Sequence, residues 1–179
     1  MKVLLHVCCA PCAIYPVKTL REEGLEPEGF FFNHNIHPFR EFSRRLDAVR
    51  QYAGMAKLGM IYREEYLLET FLEAVADAPR TRCEYCYGYR LEETAKMAAE
   101  LGYPAFTSTL LYSRYQNHER IRSLGESLGE KYGLSFLYAD YRCGWQEGIQ
   151  DSKSLGLYRQ PYCGCIYSEK DRYCPKGKS

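Results

Sequence analysis

The sequence predicts a Rossmann-like three-layer α/β/α domain on a mostly parallel sheet of about five strands. Three observations point there. Short apolar, β-rich runs alternate with helical patterns along the chain, and strands joined by helices pair in parallel through right-handed crossovers. No internal repeat and no linker-like stretch appears, so residues 1–179 read as one domain, ending in a flexible polar tail over 170–179. Cys8, Cys9, Asn33, Thr107 to Thr109 and Asp140 fall at the ends of the predicted strands, where such sheets bind ligands.

"KVLLHV" (2–7) is a short apolar run of strand type. Pro11 stands at a helix start, where a missing N–H costs nothing, and the helix closes at Gly24 with Pro16 as a bend point. "EGFFFN" (28–33) is the second strand. The helix over 38–59 starts with Pro and ends at Gly. "MIYREEY" (60–66) is the third strand, and 67–78 is helical again. A turn and a strong helix fill 79–102, followed by a strand over 104–111. Ser113 with Gln116 fits a capping box for a helix running to about Gly133. A fifth strand covers 134–140, and a helix with an internal Gly148 covers 144–156.

Hydrophobic residues make up 46% and charged residues 26%, the balance of a globular chain. Net charge is +1, so a polyanionic partner must be met by a local patch. No signal peptide and no run of roughly 20 apolar residues is present, which predicts a cytoplasmic protein with no membrane contact. Cytoplasmic thiols are kept reduced. Nine cysteines therefore argue for metal or redox chemistry rather than structural disulfides. The 17 tyrosines suit both core packing and base stacking.

The cysteines form three clusters: Cys8-Cys9-Ala-Pro-Cys12, Cys83-Glu-Tyr-Cys86 and Cys163-Gly-Cys165, with Cys143 and Cys174 apart as incidental thiols. Three chemistries compete. Cys9 and Cys12 at a helix N-terminus have the form of a thioredoxin-type redox pair, whose thiol pKa the helix end lowers. That reading leaves the second CxxC and the CxC unexplained, and a thioredoxin fold carries an antiparallel pair late in the chain. Two CxxC pairs suit a four-thiolate zinc, stapling an RNA-binding module without catalysis. One zinc takes four thiols, and this chain has a core of its own. A [4Fe–4S] cluster also takes up to four thiolates. The remaining Cys163 and Cys165 then form a strained, easily reduced disulfide or hold a second metal. Either outcome puts a two-electron site beside a one-electron carrier.

The blocks "LLHVCCAPC", "FNHNIHP", "RCEYCYGYRLEETA", "FTSTLLYSRYQNHE", "YADYRCGWQEGI" and "LGLYRQPYCGCIYSE" together resemble epoxyqueuosine reductases of the QueH type, in order, over residues 3 to about 169. The resemblance implies cobalamin-independent reduction of the epoxide of epoxyqueuosine in the tRNA anticodon loop, the last step of queuosine biosynthesis. It also implies a [4Fe–4S] cluster, a second mononuclear iron or redox cysteines beside it, and an external low-potential electron donor. Carried across, Cys8, Cys9, Cys83 and Cys86 match the cluster ligands. Cys163 and Cys165 match the redox or second-metal pair, and Asp140 an acidic residue able to act as a hard oxygen ligand. Cys12 matches the motif without an assigned role. Proline is more usual at Cys143, so no function is carried there.

Removing an epoxide oxygen to leave an alkene and water takes two electrons and two protons. Asp140, His37, Tyr112 and His118 are the candidate acids. An anticodon loop presents splayed bases to aromatics and phosphates to arginines. Arg40, Arg44 and Arg45 on one helix, and Arg80, Arg82 and Arg90 around the CxxC, are the basic candidates; for each, a solvated helix face is the plainer reading. Asn33, Asn35 and His37 after the second strand are candidate substrate contacts, although Asn-rich turns also arise for backbone reasons. His6 within a strand reads as a satisfied core residue, and Trp145 as packing.

Overall fold

A computed structural model of the chain describes residues 1–174. Strands β1 (Lys2–His6), β2 (Glu26–Phe31), β3 (Met60–Tyr62), β4 (Ala105–Ser108) and β5 (Ser135–Phe136) form one sheet, in the order β3-β2-β1-β4-β5. Every pairing is parallel. The helices are α1 (Ala10–Glu22), α2 (Phe39–Ala56), α3 (Leu68–Val75), α4 (Arg82–Glu100), α5 (His118–Tyr132), α6 (Trp145–Ser154) and α7 (Ile166–Tyr173). The α/β class read from the sequence is the class observed.

A strand sends successive side chains to opposite faces. Leu5 and Phe31 accordingly pack with Val17, Leu20, Phe42 and Val49 of α1 and α2. Leu4 and Phe30 pack with Ala95 and Ala98 of α4, and with Phe106, on the other face. Val3, Leu4, Leu5, Phe30 and Phe31 are fully buried, as strands covered on both faces require. Each such Leu or Phe contributes about 1.5–3 kcal/mol on burial.

The chain winds from β1 through β2 to β3 at one edge, then returns through α3 and α4 to place β4 on the free side of β1. Strand order therefore reverses between β1 and β4, and the loops leaving their carboxyl ends diverge into a crevice. Cys8 follows β1 there, and Thr109 follows β4.

Local geometry departs from the sequence reading in five places. The strand expected over 104–111 stops at Ser108, whose hydroxyl accepts the Leu110 amide at 3.1 Å and starts a 3-10 helix, Thr109–Tyr112. Asn117, not Ser113, caps α5 by accepting the Arg120 amide at 3.0 Å, while Ser113 Oγ takes the Tyr115 amide at 3.3 Å. The strand expected over 134–140 keeps only Ser135 and Phe136, and Asp140 caps a second 3-10 helix, Tyr141–Gly144. The strand expected over 60–66 keeps only Met60–Tyr62. Within the tail expected over 170–179, helix α7 continues to Tyr173, and Arg82 pairs with Asp171 at 2.6 Å. Residues 175–179 of that tail lie outside the described residues. Gly148 inside α6 has a packing cause: a Cβ there would run into the Tyr112 hydroxyl. No helix of the described residues is long and apolar enough to cross a membrane.

Candidate metal centre

Three thiols converge at the crevice. Cys9 is the N-cap of α1 in an extended conformation (φ −166°, ψ 161°), and Cys12 stands three residues on, on the same helix face. Cys8 occupies the bend before them. The three sulfurs lie within 4.8 Å of one another, and Cys8 Sγ and Cys9 Sγ are 3.8 Å apart. Pro16 brings no N–H to the Cys12 carbonyl, yet α1 runs through it unbroken.

The thiols have directed partners. Thr109 Oγ1 donates to Cys8 Sγ at 3.3 Å and accepts the Cys8 amide at 3.1 Å. Gln160 Nε2 donates to Cys9 Sγ at 2.9 Å and to Cys12 Sγ at 3.4 Å. Hydrogen bonds from Cys12 and Cys9 hold the Cys8 thiol well below its ordinary pKa. Burial pushes Cys9 up, and the hydrogen bond to Cys8 pushes Cys12 up. Three sulfurs at this spacing form a donor set suited to a soft metal.

A second group lines a cleft of about 140 Å³: Cys83 and Cys86 at the start of α4, and Cys163 and Cys165 from the loop before α7. Asn35, Arg90, Gln116 and Tyr115 share its walls. Arg90 donates to Cys86 Sγ at 3.0 Å and to the Cys86 carbonyl at 3.1 Å. Tyr87 donates to Gln116 Oε1 at 2.7 Å, which turns the Gln116 amide nitrogen toward Cys163 Sγ at 3.5 Å. Burial raises Cys83, and raises Cys86 to about 12.

The Cys163–Cys165 loop is clamped by buried polar groups. Arg45, 2% exposed, donates to the carbonyls of Cys163 at 2.7 Å and Tyr162 at 2.9 Å, and pairs with Glu41 at 2.7 Å. Tyr158 donates to the other Glu41 oxygen at 2.5 Å. The His37 amide donates to the Gly164 carbonyl at 2.9 Å, and Tyr162 Oη donates to the His37 carbonyl at 2.5 Å. No disulfide joins Cys163 to Cys165.

Cys8, Cys9 and Cys12 thus lie together, and Cys83, Cys86, Cys163 and Cys165 line the cleft; the quartet Cys8, Cys9, Cys83 and Cys86 that the resemblance implies draws two thiols from each. Asp140 belongs to neither group; its carboxylate takes the Arg142 guanidinium at 2.8 and 2.5 Å and lies 4.0 Å from His118 Nδ1. Arg142 holds the Asp140 pKa down to about 2. Asn33 is buried and donates to the Val7 carbonyl at 3.0 Å. His37 is buried, with Nε2 on the His34 carbonyl at 3.0 Å and Nδ1 facing the Ile166 amide at 3.4 Å. Asn35 is 2% exposed, and its Oδ1 has no hydrogen-bond partner. Arg40 and Arg44 are exposed on α2, Arg44 lying over the Tyr158 ring at 5.8 Å. Arg45 and Arg90, read from sequence as phosphate candidates, are interior. His6 is the satisfied core residue expected, donating to the Phe32 carbonyl at 3.1 Å and accepting from Ser108 Oγ at 2.9 Å.

Gln160 and Glu41 carried no signal in the sequence, and Gln116 only a capping one, because glutamine and glutamate give no ligand motif until the fold brings them to sulfur or arginine.

The chain matches the family described as Epoxyqueuosine reductase QueH over residues 3–171. The Epoxyqueuosine reductase QueH of Dehalococcoides mccartyi is 38% identical over 172 residues, covering 96% of this chain and 94% of that one. That of Thermotoga maritima is 38% identical over 179 residues, covering 95% and 91%. That of Streptococcus pyogenes is 32% identical over 180 residues, covering 94% and 70%. A solved structure, a predicted subunit of tRNA methyltransferase from Methanocaldococcus jannaschii, superposes with a TM-score of 0.57 at 13% identity, over 86% of this chain and 74% of that one. At that identity the likeness concerns the fold alone. With two thiol groups at the switch point of a parallel sheet and a family match over nearly its whole length, this chain belongs to the QueH family of epoxyqueuosine reductases and is an oxidoreductase.

Proposed function

We propose that the protein reduces epoxyqueuosine to queuosine in the anticodon loop of tRNA, using thiolate-held iron and an external low-potential electron donor. The observation that carries this reading is the convergence of seven thiols in two groups at the carboxyl end of the sheet.

The donor sets fit metals of two kinds. A tetrahedral site with metal–sulfur bonds of about 2.3 Å separates its sulfurs by roughly 3.8 Å, and Cys8 and Cys9 have that 3.8 Å spacing already. We assign Cys8, Cys9 and Cys12 to a mononuclear iron. We assign Cys83, Cys86, Cys163 and Cys165, spread around the wider cleft, to a [4Fe–4S] cluster. When bound, such groups supply single electrons and Lewis acidity.

The chain's own residues do the rest. Thr109, Gln160 and Gln116 direct hydrogen bonds at the sulfurs and fix their orientation. Burial, with Cys12 and Cys9 beside it, keeps the Tyr112 phenol protonated, and its Oη donates to the Trp145 carbonyl at 3.0 Å, which packs the ring beside the three-thiol group. Asn35 turns an unmet acceptor toward the cleft and suits a donor on the substrate's base. Tyr115, 84% exposed at the cleft, offers a face for a splayed base. Arg40 and Arg44 are free to take loop phosphates. Asn33 and His37 support the site rather than touch substrate. Asp140 stays ionised beside His118 and is assigned an anionic role near the reacting oxygen. If Asp140→Ala keeps its metal and turns over unchanged, Asp140 leaves the mechanism.

The test of the whole reading is anaerobic purification and reconstitution with iron and sulfide, followed by turnover of tRNA carrying epoxyqueuosine with dithionite as donor. A brown protein with iron and sulfide that forms queuosine is expected. A colourless, iron-free protein after reconstitution overturns the reading.

A further inference from the structure

Among the described residues, Arg90 is a buried cation with no carboxylate partner. It is 2% exposed, and among the described residues its hydrogen bonds go to one sulfur and one carbonyl, both of Cys86. The acidic groups acting on it most strongly are Cys86, Cys163, Cys8 and Tyr87; burial favours the neutral forms of Cys86 and Tyr87, and Cys8, which makes no hydrogen bond to Arg90 among the described residues, is held low. Arg45, equally buried, has Glu41 at 2.7 Å and is compensated. The two imidazoles nearest to Arg90 in electrostatic terms, His6 and His34, are held neutral, first by burial and then by Arg90 itself. An interior charge without a counter-ion costs several kcal/mol even after relaxation. In the metal-free protein the guanidinium therefore has no carboxylate and no directly bonded anion among the described residues, with the Cys8 thiol as its low-pKa acidic neighbour.

We propose that Arg90 is a positioning residue whose buried charge is the counter-ion of the metal-loaded thiolates, and that it raises the reduction potential of the centre they hold. This rests on the reading of the thiols as metal ligands. Metal loading turns neutral thiols into thiolates and gives the guanidinium the anions it lacks. Reduction then delivers one electron and no proton to the thiolate-held centre, from a one-electron donor, with no bond formed or broken. Adding negative charge beside a fixed cation in a low-dielectric interior is favourable. Placement on α4, one turn after Cys86, keeps the charge fixed relative to its sulfur whichever way the Cys163–Cys165 loop settles.

The test compares full-length wild-type, R90M and R90K, metal-free and after anaerobic reconstitution with iron and sulfide. Metal-free R90M is expected to melt at or above the wild-type temperature, since methionine fills the space without the unpaired charge. Reconstituted R90M is expected to lose affinity for an electron at least tenfold, a fall in midpoint of about 59 mV or more for a one-electron couple. R90K, which keeps the charge, is expected near the wild-type midpoint. Metal-free R90M melting several degrees below wild type overturns the proposal, because the guanidinium would then be holding the fold. An R90M midpoint equal to wild type overturns it as well. If R90M takes up no metal, the melting comparison decides alone. If wild type itself stays colourless after reconstitution, it is the metal reading of the thiols that fails, while a coloured wild type with an unshifted R90M fails Arg90 alone.

Discussion

Gln160 brings its amide nitrogen to 2.9 Å from Cys9 Sγ, and the same nitrogen reaches Cys12 Sγ at 3.4 Å. One neutral donor thus serves two thiols, the N-cap Cys9 and Cys12, on one face of the first turn of α1. It favours their deprotonated, metal-binding form without adding a charge that would compete with a cation.

Gln160→Glu keeps the shape and reverses the chemistry. A carboxylate facing two sulfurs repels the thiolates that metal binding requires. Outer partners of metal ligands typically contribute on the order of 10–100-fold in affinity, and a loss in that range is expected. Gln160→Ala, which only removes the donor, is expected to lose less. Competition between the protein and a chromophoric chelator for Co(II), followed by thiolate charge-transfer absorption, measures both. Equal affinity in all three proteins would mean that Gln160 is a bystander.

A Cβ on Gly164 would lie 3.0 Å from the Asn35 carbonyl oxygen and 3.1 Å from Asn35 Nδ2, so Asn35 would have to give by a few tenths of an ångström while the His37 amide holds the Gly164 carbonyl at 2.9 Å. Gly164→Ala is expected to cost about 1–3 kcal/mol through overpacking, which lowers Tm by several degrees in a chain of this size. Because Cys163 and Cys165 flank the strain, turnover is expected to fall further than stability alone explains. A variant with wild-type Tm and turnover would show that the loop adjusts freely.

The parallel sheet was legible because each strand is a short apolar run bounded by helix signals, and Leu4, Leu5, Phe30 and Phe31 cannot be read otherwise. The position of Cys8 and Cys9 at the sheet's mouth followed from that. How adjacent cysteines turn toward one point did not, since it depends on Cys8 lying in a bend and Cys9 being an extended N-cap. The ends of β4 and β5 were misjudged for a related reason. Side-chain caps by Ser108 and Asp140 stop these strands early, and a hydroxyl or carboxylate at a strand end looks the same in sequence whether it caps or not. Arg45 and Arg90 were misread because an arginine near cysteines gives no sign of facing inward until the helix phase is fixed. The Cys8, Cys9 and Cys12 cluster was legible in sequence, but the meeting of Cys83 and Cys86 with Cys163 and Cys165 at one cleft was not, because it depends on where the loop before α7 returns.

The Arg45–Glu41 pair separates a structural charge from a functional one. Removing one member of a buried ion pair leaves the other uncompensated, at a cost of about 3–5 kcal/mol, whereas replacing both with apolar groups is often neutral. Glu41→Gln and Arg45→Met are each expected to fall in that range, and the double variant to recover much of the loss in urea unfolding. The double variant is nonetheless expected to stay poorly active, since Arg45 alone holds the carbonyls of Cys163 and Tyr162. Strictly additive single losses would remove the pair from this account.

Acid should destabilise the protein through its buried imidazoles. Burial is the main cause that lowers His6 from 6.5 to about 4, and it lowers His34 to about 2. Both folded values lie below the unfolded value, so the unfolded chain binds more protons throughout the interval beneath about 6.5. Stability from these groups is complete above that pH and is lost as pH falls, until about 4 for His6 and about 2 for His34. At pH 5 the loss is about 2 kcal/mol per histidine. His37 and His118 are lowered as well and act in the same direction. The His34 ring lies among Phe32, Phe71, Tyr85 and Tyr89, and neither of its nitrogens has a partner, so a protonated form has nowhere to place its charge. His34→Phe keeps the aromatic contacts and removes the titration. Urea unfolding at pH 7 and pH 5 is expected to show wild type losing more stability than His34→Phe, by about 2 kcal/mol. An identical pH dependence in the two proteins would mean that protonated His34 finds a proton acceptor in the folded state and does not titrate as an isolated buried base.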